Sequence, residues 1–299
     1  MKNKMAEEYN IKQTENIGFP LTRERVENAK VVYRSGLSAS DPENPNRPRD
    51  REGFLEKFLN PMIEAGKIGD GVHSKFDDRK FRFDSVTLSE TELGLKLGIT
   101  YYQECAACRK WSPERRTEII KKGKELFNEP YAFFTRGCGI EVTPITAEGS
   151  IFVGKRKVAN EDSGYAGELA AVNGWVDYKE RLEDVDFRED AFREMKQEYG
   201  IQRSEVSKLI FCGLSPASTQ ADMDFVYIAL TTLPDNFFAD GHYKRRREDK
   251  EHGELMQIAN YKNMKRLLET NELSGYDGRF NILYSLRASL EQIKPDEMA

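Results

Sequence analysis

Apolar and polar positions along the chain follow two periods, and the places where the period changes mark out its elements. Lys80 to Val86 and Glu92 to Gly98 alternate with period two, as half-buried strands do, and their closeness predicts a hairpin. Val31 to Tyr33 reads as a shorter strand. Gly139 to Ile145 and Ser150 to Arg156 predict two more, joined by a turn at Ala147, Glu148 and Gly149, and Lys208 to Gly213 and Phe225 to Thr231 predict a further pair. A spacing of four takes over at Phe187, Ala191, Met195 and Tyr199, which is one face of a helix. Asp186 is its acidic N-cap, Glu189 can satisfy the cap reciprocally, and Gly200 stands where a left-handed C-terminal cap belongs. Helices are also predicted over residues 50 to 66, with Phe54, Phe58, Leu59 and Ile63 on the apolar face, over 112 to 127, opening on Ser112 and Pro113, and over 260 to 269 and 278 to 293.

These elements fall into two sets. Residues 1 to 28 are polar and read as a flexible N-terminal arm. Residues 29 to 130, which include the proline-rich loop at 38 to 49, form an N-terminal α+β domain with its own strands and helices. In residues 131 to 295 the strands bracket one long helix and another closes the chain. That order predicts an α/β domain in which a mixed sheet lies between helical layers. A chain of 299 residues is long enough for both domains.

Composition narrows the class. With 38% hydrophobic and 32% charged residues the chain is a soluble globular type and not a disordered one. A net charge of -5 gives no global attraction to nucleic acid, so any phosphate ligand must be met by local cations, a metal ion or helix dipoles. No stretch of about 18 consecutive apolar residues is present and the first residues lack the apolar core of a signal peptide, so no membrane association and a cytoplasmic location are expected. The four cysteines agree with a reducing compartment. Cys105 and Cys108 have the spacing of half a zinc site, but Cys138, Cys212, His73, His242 and His252 supply no second tight pair, and the reading as ordinary reduced thiols stands.

The chemistry concentrates on the helix that follows Asp186. Glu194, Gln197 and Glu198 are three and four residues apart and share one side, while the apolar stripe faces elsewhere. Converging carboxylates repel one another but suit a hard cation such as magnesium, or manganese, which takes oxygen ligands and is commonly shared with substrate phosphates. Such an ion polarises phosphoryl oxygens. The alternative is an ordinary solvated amphipathic helix.

The wider pattern is Gly174-Trp-Val-Asp-Tyr-Lys-Glu180, then Arg193, Glu194, Gln197, Glu198, Gly200 and Ile201. It resembles the Nudix box, G-x5-E-x7-R-E-U-x-E-E-x-G-U with U aliphatic, which marks hydrolases of nucleoside diphosphates linked to another group. Two departures stand out: five extra residues separate the halves, and Gln197 replaces the first glutamate of the usual pair. The stretch from Phe76 to Ser85, the segment from Leu95 to Tyr102 and the C-terminal Arg279 to Arg287 are similar in character to the Nudix hydrolases of UDP-glucose and UDP-galactose, which carry an extra N-terminal domain. Gln103 and Glu104 and the residues after them diverge from that group.

The resemblance implies a Nudix α/β/α sandwich and assigns roles residue by residue. Glu194 and Glu198 match metal-binding glutamates, Gln197 offers a neutral oxygen in place of a third, and Asn173 stands where a glycine carbonyl often binds metal. Glu180 and Arg193 match residues that brace the loop and the helix. Glu254, in Gly253-Glu254-Leu255, resembles the glutamate from outside the box that serves as metal ligand or general base, with Glu251 next in line; against this, residues 244 to 251 are a charge run of the kind usually solvated. Arg136, Lys155, Arg156 and Lys157 are cations near the first strands of this domain, and Arg156 is the candidate for phosphate. Trp175 and Tyr178 can stack a base or a sugar, or lie buried under the loop. The implied activity is magnesium-dependent hydrolysis of a nucleoside diphosphate-X compound, a nucleotide sugar first of all. Nucleoside triphosphates, dinucleoside polyphosphates and a non-catalytic nucleotide-binding module are the alternatives, and a homodimer is a plausible assembly for this family.

Overall fold

The computed structural model describes residues 21–26, 29–35, 79–102, 112–127, 130–131, 134–156, 167–216, 222–248 and 252–299. The expected helix at 50 to 66, the loop at 38 to 49, the Cys105 and Cys108 pair, His73, Lys157 and Glu251 lie outside the described residues.

Two sheets organise the chain. In the first, β1 (Lys30–Ser35), β3 (Glu92–Tyr101) and β2 (Arg79–Leu88) lie side by side in that order, with β1 parallel to β3 and the β2–β3 hairpin antiparallel as its alternation predicts. The second sheet has seven strands. Its main path runs β10 (His252–Ile258), β5 (Ile151–Arg156), β4 (Cys138–Ile145), β9 (Met223–Thr231), β8 (Val206–Pro216), with β6 (Leu169–Ala170) on β5 and β7 (Val172–Trp175) on β4. Because β4 and β9 are parallel and the other pairs antiparallel, the sheet is mixed.

Strand β9 shows why helices cover both faces. Phe225, Tyr227 and Ala229 point to one side and pack with Phe187, Ala191, Met195 and Tyr199. Val226 and Ile228 point to the other and pack with Leu267, Leu286 and Leu290. A strand whose two faces are both apolar needs a layer on each, and the result is the expected α/β/α arrangement. The N-terminal sheet shares the first of these cores: Phe81, Phe83, Leu95 and Leu97 are buried with the same helix. Leu21, just before the helical turn Arg23–Val26, and Val26 at its end are buried there too, in the segment expected as an arm, and the Leu21 N–H donates to the Leu214 carbonyl at 2.9 Å. Among the described residues no helix is long and apolar enough to cross a membrane.

The helix Phe187–Tyr199 forms where its periodicity places it. Asp186 accepts from the Arg188 N–H at 3.0 Å, and Gly200 takes the left-handed conformation at φ 69°. The cap contributes about 1 kcal/mol, whereas burying each large apolar side chain contributes about 1.5–3 kcal/mol, so tertiary packing dominates. Glu189 does not close the expected reciprocal cap. Its carboxylate pairs instead with Arg203 at 2.7 Å.

One further expectation needs correction. The helix expected over 278 to 293 is confined to Tyr284–Leu290. Residues before it are used as an extended partner for β6: the Leu169 N–H donates to the Asn281 carbonyl at 2.7 Å and the Leu283 N–H to the Leu169 carbonyl at 2.9 Å. The strands either side of Gly149 are joined by the expected turn, in which the Thr146 N–H donates to the Ser150 carbonyl at 2.9 Å. They pair only at Ile145 and Ile151, because β7 occupies the edge of β4 from Gly139 to Val142.

Candidate functional site

The site forms where the helix Phe187–Tyr199 crosses β7. Gly174 allows the closest approach: its Cα lies against the Glu194 carboxylate with no room for a Cβ. Glu194 is 7% exposed, and its Oε1 is paired with Arg193 Nη1 at 2.6 Å. One turn later Glu198, 3% exposed, accepts from the Asn173 backbone N–H at 3.0 Å. The i, i+4 spacing therefore delivers both carboxylates to the same short strand.

Asn173 ties this strand to the sheet. Its Nδ2 donates to the Ile140 carbonyl and to Glu141 Oε2, each at 3.2 Å, and its Oδ1 accepts from Arg156 Nη1 at 3.3 Å. Arg156, buried on β5, thus belongs to the same cluster as the two glutamates. Gln197 directs its amide oxygen to Arg193 Nη1 at 3.3 Å. Arg193 is the hub of the loop, since its Nη2 also reaches the Trp175 carbonyl at 2.9 Å and Asp190 at 3.0 Å. Trp175 lies with its ring over Gly137 and with Tyr102 edge-on at 6.1 Å, and Tyr178 packs on Phe81 at 5.3 Å.

Arg136 and Lys155 fall elsewhere. Arg136 is buried at the junction of the sheets, donating to the Asp84 carbonyl at 2.6 Å, and Lys155 is exposed. Glu254 sits on β10 in a bulge, where three steps from His252 to Leu255 oppose two from Arg156 to Gly154. Its side chain is exposed and makes no hydrogen bond or ion pair among the described residues.

Sequence reasoning missed two buried members. His252, 1% exposed, places Nε2 3.2 Å from Glu198 Oε2. It sat at the edge of a charge run that reads as solvated surface. Glu141 is fully buried on β4; its Oε2 also accepts from Ser285 Oγ at 3.2 Å, and its Oε1 has no hydrogen-bond partner among the described residues. Burial, with the nearby charges of Asp224 and Glu198, pushes its carboxyl well above the usual range. The signal for Glu141 was available: a lone carboxylate within a strand whose other residues suit burial on both faces.

The donor set consists of carboxylate and amide oxygens, the chemistry of a hard cation, and an orphaned buried oxygen at Glu141 agrees with it. Among the described residues no three acidic, histidine or cysteine side chains are already gathered to enclose an ion. Glu194 and Glu198 would hold such a cation by two carboxylates, leaving its remaining positions to water and phosphate oxygens, as magnesium prefers.

No protein-family model and no curated protein matches this chain. Among solved structures, a crystal structure of a hydrolase of the NUDIX family from Clostridium perfringens is similar over 53% of this chain and 99% of its own, at 14% identity and a TM-score of 0.29.

Proposed function

We propose that the chain is a Nudix-type hydrolase that cleaves the phosphoric anhydride of a nucleoside diphosphate-X compound, with a nucleotide sugar as the substrate class and magnesium as the cofactor. The observation that carries this reading is the delivery of Glu194 and Glu198 by one helix face to β7, where Asn173 and Arg156 join them. Magnesium bound there would supply positive charge where phosphoryl oxygens gain negative charge.

The side chains of this chain have distinct tasks in that scheme. Arg156, whose guanidinium lies 3.3 Å from Asn173 Oδ1, is placed to meet a phosphate beside the two glutamates. His252 and the Asn173 N–H hold one oxygen of Glu198, which orients the carboxylate for the cation. Glu254, exposed on the bulge beside His252, is the group assigned to take a proton from attacking water. The products are a nucleoside monophosphate and a phosphorylated partner.

Release of nucleoside monophosphate from a panel of nucleotide sugars, nucleoside triphosphates and dinucleoside polyphosphates, with and without magnesium, tests the reading. Magnesium-dependent turnover of nucleotide sugars is the expected result. Turnover confined to triphosphates or dinucleotides would move the substrate class, and binding without turnover would make the chain a nucleotide-binding module.

A further inference from the structure

Three consecutive residues of β2 grip the loop that follows β7. Arg79 Nη1 is 3.1 Å from Glu180 Oε1, and its guanidinium lies over the Tyr178 ring at 5.0 Å. Phe81 packs against the other part of that loop through Tyr178. Between them Lys80 forms a backbone bridge with Asp177, and its Nζ donates to Asp177 Oδ1 at 2.5 Å. Lys80 is the most enclosed of the cations on this loop, its side chain only 14% exposed.

Asp177 passes this hold onward. Its Oδ2 is 3.5 Å from Arg193 Nη2, the same nitrogen that bonds the Trp175 carbonyl, and Arg193 Nη1 pairs with Glu194. A short series of charged contacts therefore runs from the N-terminal sheet to a carboxylate of the site: Lys80, Asp177, Arg193, Glu194. Arg193 is shared among Asp177, Asp190 and Glu194. With Lys80 present, Asp177 has its own cation, so it does not draw Arg193 away from Glu194 and the Trp175 carbonyl.

We propose that Lys80 is a positioning residue of the site: by fixing Asp177 it keeps Arg193 on Glu194 and on the Trp175 carbonyl, so that the N-terminal sheet sets the cation affinity of the helix carboxylates. The cation part of this statement rests on the hydrolase reading above, while the placement of the loop does not. It gives the N-terminal sheet a function in the reaction beyond sharing the core. Residues that orient metal-binding side chains typically change metal affinity by roughly 10–100-fold when removed. Lys80 acts at two removes, so the lower end of that range is expected.

The test uses the full chain with Trp111→Phe, which leaves Trp175 as the only one of the two tryptophans in the sequence. Manganese binding is measured by calorimetry and the access of quencher to Trp175 by fluorescence, in Lys80→Met, Lys80→Arg and Asp177→Asn. Lys80→Met should weaken manganese binding about tenfold and raise quenching of Trp175, with turnover at saturating magnesium within about twofold of the parent. Lys80→Arg should restore both. Should Lys80→Met fail to fold, Lys80→Gln takes its place, while Asp177→Asn, whose side chain is 42% exposed, removes the charge that would draw Arg193 away and should leave manganese binding near the parent's. Unchanged or tighter manganese binding once the lysine is removed, or a loss that the arginine variant does not rescue, would overturn the proposal. If the parent binds no manganese, the hydrolase reading falls separately, and the quenching of Trp175 alone decides whether Lys80 holds the loop.

Discussion

His252 and Glu198 meet at 3.2 Å, ring nitrogen to carboxylate oxygen, with both side chains buried. Their meeting depends on Gly154, the β5 residue that underlies the histidine: a Cβ there would lie 2.6 Å from His252 Cβ. The same oxygen of Glu198 accepts from Asn173, so two donors from different strands orient one carboxylate. A hydrogen bond to a charged group contributes about 1.5–3 kcal/mol, enough to hold the carboxylate in one orientation.

His252→Phe should therefore weaken metal binding by roughly 10–100-fold, while His252→Gln, which retains a donor, should lose much less. Titration of both variants with manganese checks this, and equal behaviour of the two would show that the ring only fills space. Gly154→Ala should cost about 1–3 kcal/mol of stability, the usual scale for overpacking, read from the midpoint of urea unfolding.

Glu198→Gln removes charge at the site and nothing from the apolar face formed by Phe187, Ala191, Met195 and Tyr199. Turnover should fall about a hundredfold or more, the scale of a group acting in the transition state, with an unchanged circular dichroism spectrum. Turnover near that of the parent would remove Glu198 from the reaction.

Gln197 gives a complementary test, because it stands where a further carboxylate would add charge. Its amide oxygen faces Arg193, which is also paired with Glu194. Gln197→Glu should lower the magnesium concentration needed for half-maximal activity if that oxygen reaches the cation. An unchanged magnesium titration would place it outside the coordination shell.

Glu141 makes stability depend on pH. Its carboxyl is held well above the usual value by burial, then by Asp224. The folded state therefore keeps a proton that the unfolded chain releases near its ordinary pKa, and stability falls as pH rises from there through the folded pKa. Glu141→Gln should abolish this fall. In chelator, the variant's advantage in melting temperature should be absent at about pH 4 and should grow towards neutral pH; a constant difference across that range would contradict the assignment.

What was legible in the sequence was what is local. Asp186, the four-residue spacing from Phe187 to Tyr199 and Gly200 define the helix by themselves, and Glu194 and Glu198 follow from it. The roles of His252 and Glu141 depend on which strands become neighbours. β10 was hidden because Gly253 and Glu254 interrupt its alternation at a bulge, so its charged start read as solvated loop. β7 was hidden inside the box, where pairing of Asn173 with Glu141 is a long-range event between strands 32 residues apart. The C-terminal helix was overextended for the same reason: Asn281 and Leu283 carry helix-compatible side chains, but their backbone groups are taken by Leu169.

Glu254 separates catalysis from binding. It lies two residues from His252, on the bulge that brings β10 to the helix, and its exposed carboxylate has no internal bond among the described residues that its removal would break. Glu254→Gln should therefore leave the melting temperature unchanged. As a general base it would contribute about 10² to 10⁴ in rate. The variant should lose kcat on that scale while nucleotide affinity stays within about threefold, the pattern of an interaction made mainly in the transition state. Single-turnover kinetics with a nucleotide sugar, alongside calorimetric binding of the product monophosphate, measure the two separately. Normal turnover would return Glu254 to the solvated surface that the neighbouring charge run implies, and would make Glu251 the next residue to replace.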